Sequence, residues 1–252
     1  MIRRQVSLNA AGVALALAAW AVAGQTLLAG NPTFAGFAPG PTLAALGRIL
    51  AAGEAWRMIG PSLGRIGGGL GWAVALGIPL GIMIGWSRTA AALTHLPFQF
   101  LRMISPLAWM PIAVLAFKSW DGAIMFLIAA AAVWPVTFAT AAGVRKIDPH
   151  WFKVARNLGA GPWHLLTTVI LPAVGQDILT GIRLALGVAW IVLVPGEFLG
   201  VTCGLGYAIN DARDILEYDR LAAIVLVIGA LGFALDGLCL LAIRRAAWQL
   251  PS

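Results

Sequence analysis

Twenty-one consecutive residues, Ala10 to Gly30, carry no charge. That length matches the roughly 20 apolar residues a helix needs to cross a hydrocarbon core of about 30 Å. Five more runs of the same character follow, at about 62–86, 96–117, 122–143, 177–199 and 221–243. The sequence therefore predicts an all-α integral membrane protein with six transmembrane helices. Composition agrees: 60% of residues are hydrophobic and 11% charged, where a soluble domain carries about 25% charged. The eleven tryptophans suit anchoring at the two interfaces. The net charge of +7 does not point to nucleic acid, because the bases flank apolar runs and do not form one block.

Lys and Arg in the connections set the orientation. One side carries Arg3, Arg4, Arg88, Arg145, Lys146, Lys153, Arg156, Arg244 and Arg245, with Asp148 as its single acid. The other side has six bases balanced by six acids. This asymmetry predicts cytoplasmic termini and a cytoplasmic segment at 144–176. A second reading of the first run is a cleaved signal peptide, since Arg3 and Arg4 precede it and "AVAG" at 21–24 imitates a cleavage site. Its length argues for a retained span.

Residues 1–60 read as an N-terminal transmembrane helix with an external connection. Residues 61–245 read as a core of five helices. Within the second run, "GRIGGGLGWAVALGIPLG" at 64–81 places several glycines on one helix, where small residues allow close helix approach. Pro79, Pro106, Pro111 and Pro135 lie inside spans, and each can kink a helix. Cys203 and Cys239 lie far apart, with no CxxC motif or Cys/His cluster, so neither a disulfide framework nor a zinc site is expected. His95, His150 and His164 do not cluster either.

The segment "KVARNLGAGPWHLLTTVILP" at 153–172 interrupts this pattern. Asp148 and Pro149 form a helix start, an acidic cap followed by proline at the first helical position. The helix predicted from there runs to about Leu158, with Trp151, Val154, Ala155 and Leu158 on one face and Lys153, Arg156 and Asn157 on the other. Gly159 supplies the stop. Pro162 opens a second helix, Trp163 to Leu171, ended by Pro172. Ten helical residues span about 15 Å, too short for a bilayer. Such a helix suits a groove on another protein, or equally an interfacial position with tryptophans in the headgroups.

This segment resembles the "EAA" loop of binding-protein-dependent ABC transporter permeases. Ala155, Gly159, Leu171 and Pro172 stand at matching places, and Val169 stands where the motif has Ile. Lys153 replaces the motif's Glu, and Val154 replaces its first Ala. Elsewhere "PSLGRIGGGLGWAVALGIPLGIMIG" at 61–85, "SPLAWMPIAVLAF" at 105–117, "LPAVGQDILTGIRLALGVAWIVLVPGEFLG" at 171–200 and "GLGYAINDARD" at 204–214 are similar to the nitrate, sulfonate and taurine branch of those permeases. The resemblance implies a type I importer permease fold in a bacterial inner membrane. It implies a coupling helix at 149–162, with Lys153, Val154, Ala155, Arg156, Leu158, Gly159, Ala160 and Pro162 meeting a cytoplasmic ABC ATPase. It further implies a periplasmic solute-binding protein, a second copy of the chain and a small solute, for which an anion such as sulfonate, taurine or nitrate is the leading expectation. Lys153 reverses the charge the family has there, so a salt bridge of the family's sign cannot form.

No Walker-type GxxxxGKS or GxxxxGKT loop occurs, so the chain is expected to be a transport subunit without cofactor, ATP being used by the partner. Charges inside spans are candidates for the translocation pathway, because burying them is costly. These are Glu197, Arg183, Arg102 and Arg65. The structural alternatives are a buried pair between Glu197 and a base such as Arg65, snorkelling of Arg102 and Arg183, and pairing of Asp236 across helices. The outer run "CGLGYAINDARDILEYDR" either docks a binding protein or is a plain solvated loop. The rival function is a stand-alone secondary transporter or channel. Its paired coupling acids or matched broken helices are not seen in the sequence, and neither is the polar cluster of an intramembrane enzyme.

Overall fold

A computed structural model describes residues 2–26 and 32–247. All of its regular structure is helical: α1 Ile2–Thr26, α2 Pro39–Ala51, α3 Glu54–Trp86, α4 Arg88–Met103, α5 Met110–Ala116, α6 Trp120–Lys146, α7 Pro149–Asn157, α8 Pro162–His164, α9 Leu171–Glu197, α10 Leu205–Asp214 and α11 Tyr218–Ala247. Short 3-10 turns fill Pro32–Phe37 and Pro106–Trp109. Four helical stretches are long and apolar enough to cross a membrane: Glu54–Trp86, Trp120–Lys146, Pro162–Glu197 and Tyr218–Arg245. A bent pair adds a fifth if it counts as one span. The apolar part of α1, Ala11–Gly24, is shorter than these. Residues 27–30 of the expected first span lie outside the described residues.

The chain divides into two compact units, one of residues 1–60 with 202–230, the other of residues 61–201 with 231–252. In the second unit α6 and α9 pack along their length. Ile124, Leu127, Ile128 and Leu193 are fully buried at the centre of this core. Gly68, Gly69, Gly77, Gly81 and Gly85 of α3 face α6. A Cβ on Gly81 would lie 2.6 Å from the Thr137 carbonyl oxygen, and one on Gly77 or Gly85 would strike Val136 or Val144. Gly77, Gly81 and Gly85 recur every four residues, so they form one strip along which the backbones approach. The close-packing reading of the glycine-rich run therefore holds for this helix pair. In the first unit Trp20 Nε1 donates to the Phe37 carbonyl at 3.0 Å, Phe37 packs on Tyr218, and Arg48 pairs with Asp219 at 2.6 Å.

Three expectations are corrected. The expected span at 96–117 is not one straight helix. α4 stops at Met103, and the chain turns by 87° into Pro106–Ala116. Ile104 and Ser105 are extended, with ψ of 125° and 130°. The residue before a proline is driven out of the α region, and Pro106 has no N–H to continue the ladder. The second cytoplasmic helix does not end at Pro172 but continues into the next span as one helix, Pro162–Glu197. Leu165–Ile170 widens to a π-helix, with Leu171 N–H donating to the Leu166 carbonyl. The register change places the missing proline N–H at a point where the α ladder is already interrupted. The run at 200–220 is not a loop throughout, since α10 occupies its centre and buries Leu205, Ala208 and Ala212.

Candidate functional site

The cytoplasmic hairpin is built from its capping residues. The Asp148 carboxylate accepts from the His150 backbone N–H at 2.9 Å, and the His150 ring nitrogen Nδ1 lies 2.8 Å from the same oxygen. These contacts, the backbone one foremost, hold the Asp148 carboxyl below its ordinary value of 3.8. At the other end Gly159 N–H donates to Arg156 O at 2.9 Å and Ala160 N–H to Ala155 O at 3.0 Å. That bond pair is the Schellman stop, and it needs the left-handed φ of +84° found at Gly159. Cap and stop thus fix both ends of a nine-residue helix.

One side chain fastens α7 to the bundle. Phe152 meets the Trp86 ring edge-on at 4.8 Å and packs against the cluster of Val144, Ile170, Val174 and Ile178. Trp151, Val154 and Leu158 keep 67%, 58% and 83% of their surface exposed, while Ala155 is half-buried. The apolar face foreseen from spacing therefore exists and lies mostly uncovered. Lys153 and Arg156 line a cleft of about 720 Å³, and Gly159, Ala160 and Pro162 line a neighbouring apolar groove of about 1140 Å³. Sequence reasoning missed Phe152. Its signal was an aromatic beside Trp151, which makes the helix apolar on two sides.

The intramembrane charges separate into distinct sites. Glu197 is fully enclosed and Arg65 is 3% exposed. Arg65 Nη1 donates to Glu197 Oε1 at 2.5 Å, and Nε donates to Asp121 Oδ1 at 2.7 Å. Ser62 Oγ also lies 2.8 Å and 3.0 Å from the two Glu197 carboxylate oxygens. This network ties α3, α6 and α9 together. Ser62 was not singled out from the sequence, although it sits three residues before Arg65 and so on the same helix face. Arg183 donates from Nε and Nη2 to both Asp236 oxygens, at 2.6 and 2.7 Å, linking α9 to α11. Pairing replaces the snorkelling reading of Arg183. Arg102 has no ion pair among the described residues. Its guanidinium lies 5.4 Å from the centre of the Phe138 ring, and it lines two cavities of about 790 and 420 Å³. The second of these also presents His95, Gln99 and Arg145. In the outer run, Arg220 reaches Asp211, Glu217 and Glu54, and Arg213 pairs with Asp214. Much of that charge is therefore neutralised within the first unit. No group of His, Cys, Asp and Glu suited to a metal occurs among the described residues.

A family model described as "Binding-protein-dependent transport system inner membrane component" matches residues 77–247. The chain belongs to this family. The bicarbonate transport system permease protein CmpB of Synechococcus elongatus is 40% identical to the permease over 79% of this chain and 69% of its own length. The taurine transport system permease protein TauC of Escherichia coli is 35% identical over 77% of this chain and 71% of its own length. 

The nitrate import permease protein NrtB of Leptolyngbya laminosa is 35% identical over 71% of this chain and 64% of its own length. The present permease is thus an all-helical, multi-pass inner-membrane transport component, as its apolar helices require.

Proposed function

We propose that this permease is the membrane-spanning subunit of an importer for a small anion of the bicarbonate, nitrate or sulfonate kind, driven by a separate ATPase through α7. One observation carries the coupling reading. α7 is fastened by Phe152 yet leaves Trp151, Val154 and Leu158 exposed. An apolar stripe on a rigidly capped helix suits insertion into a groove of a soluble partner. Lys153, Val154, Ala155, Arg156, Leu158, Gly159, Ala160 and Pro162 form the transmitting surface in this reading. Because α8, the π segment and α9 are continuous, a push on the hairpin passes straight into a span. A second copy of the chain, ATPase subunits and a periplasmic solute-binding protein complete the assembly, and ATP is consumed by the partner.

The anionic choice rests on the names of the relatives and on Arg102, a base that faces two cavities and is paired with no acid among the described residues. Arg183 is a second pathway candidate, its charge tempered by Asp236. Arg65 and Glu197 contribute to the pathway by holding three helices in place. The test is isolation of the complex from its native membrane in mild detergent, beside a Gly159→Asp variant. A partner carrying a Walker motif is expected with the native chain and not with the variant. Recovery of the native chain in good yield without such a partner would favour a stand-alone transporter.

A further inference from the structure

The cleft beside α7 is strongly basic. Arg88, Arg145, Lys153 and Arg156 line its roughly 720 Å³, and no acid does. None of the four has an ion pair among the described residues. Arg145 is steered by its Nη2, which donates to the Ile84 carbonyl at 3.4 Å. Four like charges around one cavity repel each other, and a bound anion relieves that repulsion beyond what water and salt screen.

The cleft does not stand alone. Trp86 and Arg156 line both it and the adjoining groove of about 1140 Å³. That groove is apolar, walled by Ile78, Ile82 and Met83 of α3 and by Leu166, Ile170 and Leu171 at the start of the long span. One cavity is basic and lies among the cytoplasmic ends of spans. Its neighbour is greasy and lined by the spans themselves. A free oxyanion would use only the first, and an apolar peptide only the second.

We infer that the paired cavities hold an anionic phospholipid, with its headgroup phosphate among Arg88, Arg145, Lys153 and Arg156 and an acyl chain along α3 and Leu166–Leu171. Guanidinium groups suit phosphate oxygens because they can donate two parallel hydrogen bonds. Basic pockets at the cytoplasmic face are the places where anionic headgroups gain most. The lipid would brace the root of α7, since Phe152 lines the cleft and is also its anchor. The proposal needs only the membrane orientation and not the ATPase reading.

Native mass spectrometry of the full chain in a neutral detergent tests it. The chain is titrated separately with dioleoyl phosphatidylglycerol, dioleoyl phosphatidylcholine and inorganic phosphate. Phosphatidylglycerol is expected to be retained about tenfold better than phosphatidylcholine. Arg88→Gln with Arg145→Gln should bring the two lipids to near equality, the two lost bases together accounting for about that tenfold. Ile82→Trp, which fills the groove, should lower retention of both lipids. Lys118→Gln, an exposed base that does not line the cleft, should change nothing, and each variant is scored only if its melting matches the parent. Equal retention of the two lipids by the parent would overturn the inference. So would an unchanged preference in the double variant. Displacement of lipid by excess inorganic phosphate would reassign the cleft to a free anion and overturn it as well.

Discussion

Replacing Arg65 by Met is the most informative single change. Arg65 is 3% exposed and its partner Glu197 is fully enclosed. The substitution keeps most of the side-chain bulk and strips the cation from a carboxylate that water does not reach. Breaking a buried pair in this way costs about 3–5 kcal/mol. Glu197→Gln should be milder, because Arg65 keeps its bonds to Asp121 at 2.7 Å and the amide can still meet Ser62. The loss there is one charge-assisted hydrogen bond, about 1.5–3 kcal/mol. Arg65→Met combined with Glu197→Gln removes both charges together. It should cost less than the sum of the single changes by about 2 kcal/mol, since coupled neighbours are not additive. Reversible unfolding of the full chain in mixed micelles, with SDS as denaturant, supplies the three values. A cost below about 1 kcal/mol for Arg65→Met, or strict additivity in the double variant, would refute the clamp assigned to this network.

Gly81→Val should destabilise the chain by about 1–3 kcal/mol or more, because the new side chain meets the Thr137 carbonyl and Thr140 across the helix pair; the same unfolding assay reads it. Gly159→Ala should cost about 1–2 kcal/mol locally through the left-handed φ of +84°, seen as faster amide exchange at 155–160 with little change in global melting. Asp148→Ala should speed exchange of the first α7 amides by removing their cap. Since its folded-state carboxyl is held below the ordinary 3.8, the cap's stabilisation is present above that value and is lost as pH falls through the depressed one. Exchange at His150 should therefore quicken, after correction for intrinsic rates, only at such acid pH. Trp151→Ala with Leu158→Ala should leave melting unchanged, because both side chains are largely exposed, while reducing recovery of the proposed ATPase partner.

The parts of the fold governed by local chemistry were legible in the sequence. Asp148, Pro149 and Gly159 mark both ends of α7 through capping and φ preferences, and the structure uses each of them. The glycine-rich run announced a close helix contact, although it could not name α6 as the partner. Two errors share one cause, since proline has more than one outcome. Pro106 breaks a span and turns it by 87°, whereas Pro172 is absorbed by the π segment Leu165–Ile170. Which outcome occurs depends on whether neighbouring backbone can shift register, a property of packing and not of the residue. Charge pairing was half legible. Glu197 and Arg65 were named together because few charges lie in the spans, but Asp121 looked like an ordinary outer-turn acid and Ser62 like filler. The cleft of Arg88, Arg145, Lys153 and Arg156 was invisible as a site because its members come from three separated stretches.

The coupling claim is tested most directly by ATP-driven uptake. The complex isolated from its native membrane is reconstituted in proteoliposomes with the proposed binding protein, and labelled bicarbonate, nitrate and taurine are offered in turn. Uptake of one anion that requires ATP, and that is lost in a Leu158→Asp chain of unchanged melting, is the expected result. Uptake that proceeds without ATP, or that Leu158→Asp leaves intact, would contradict transmission through α7.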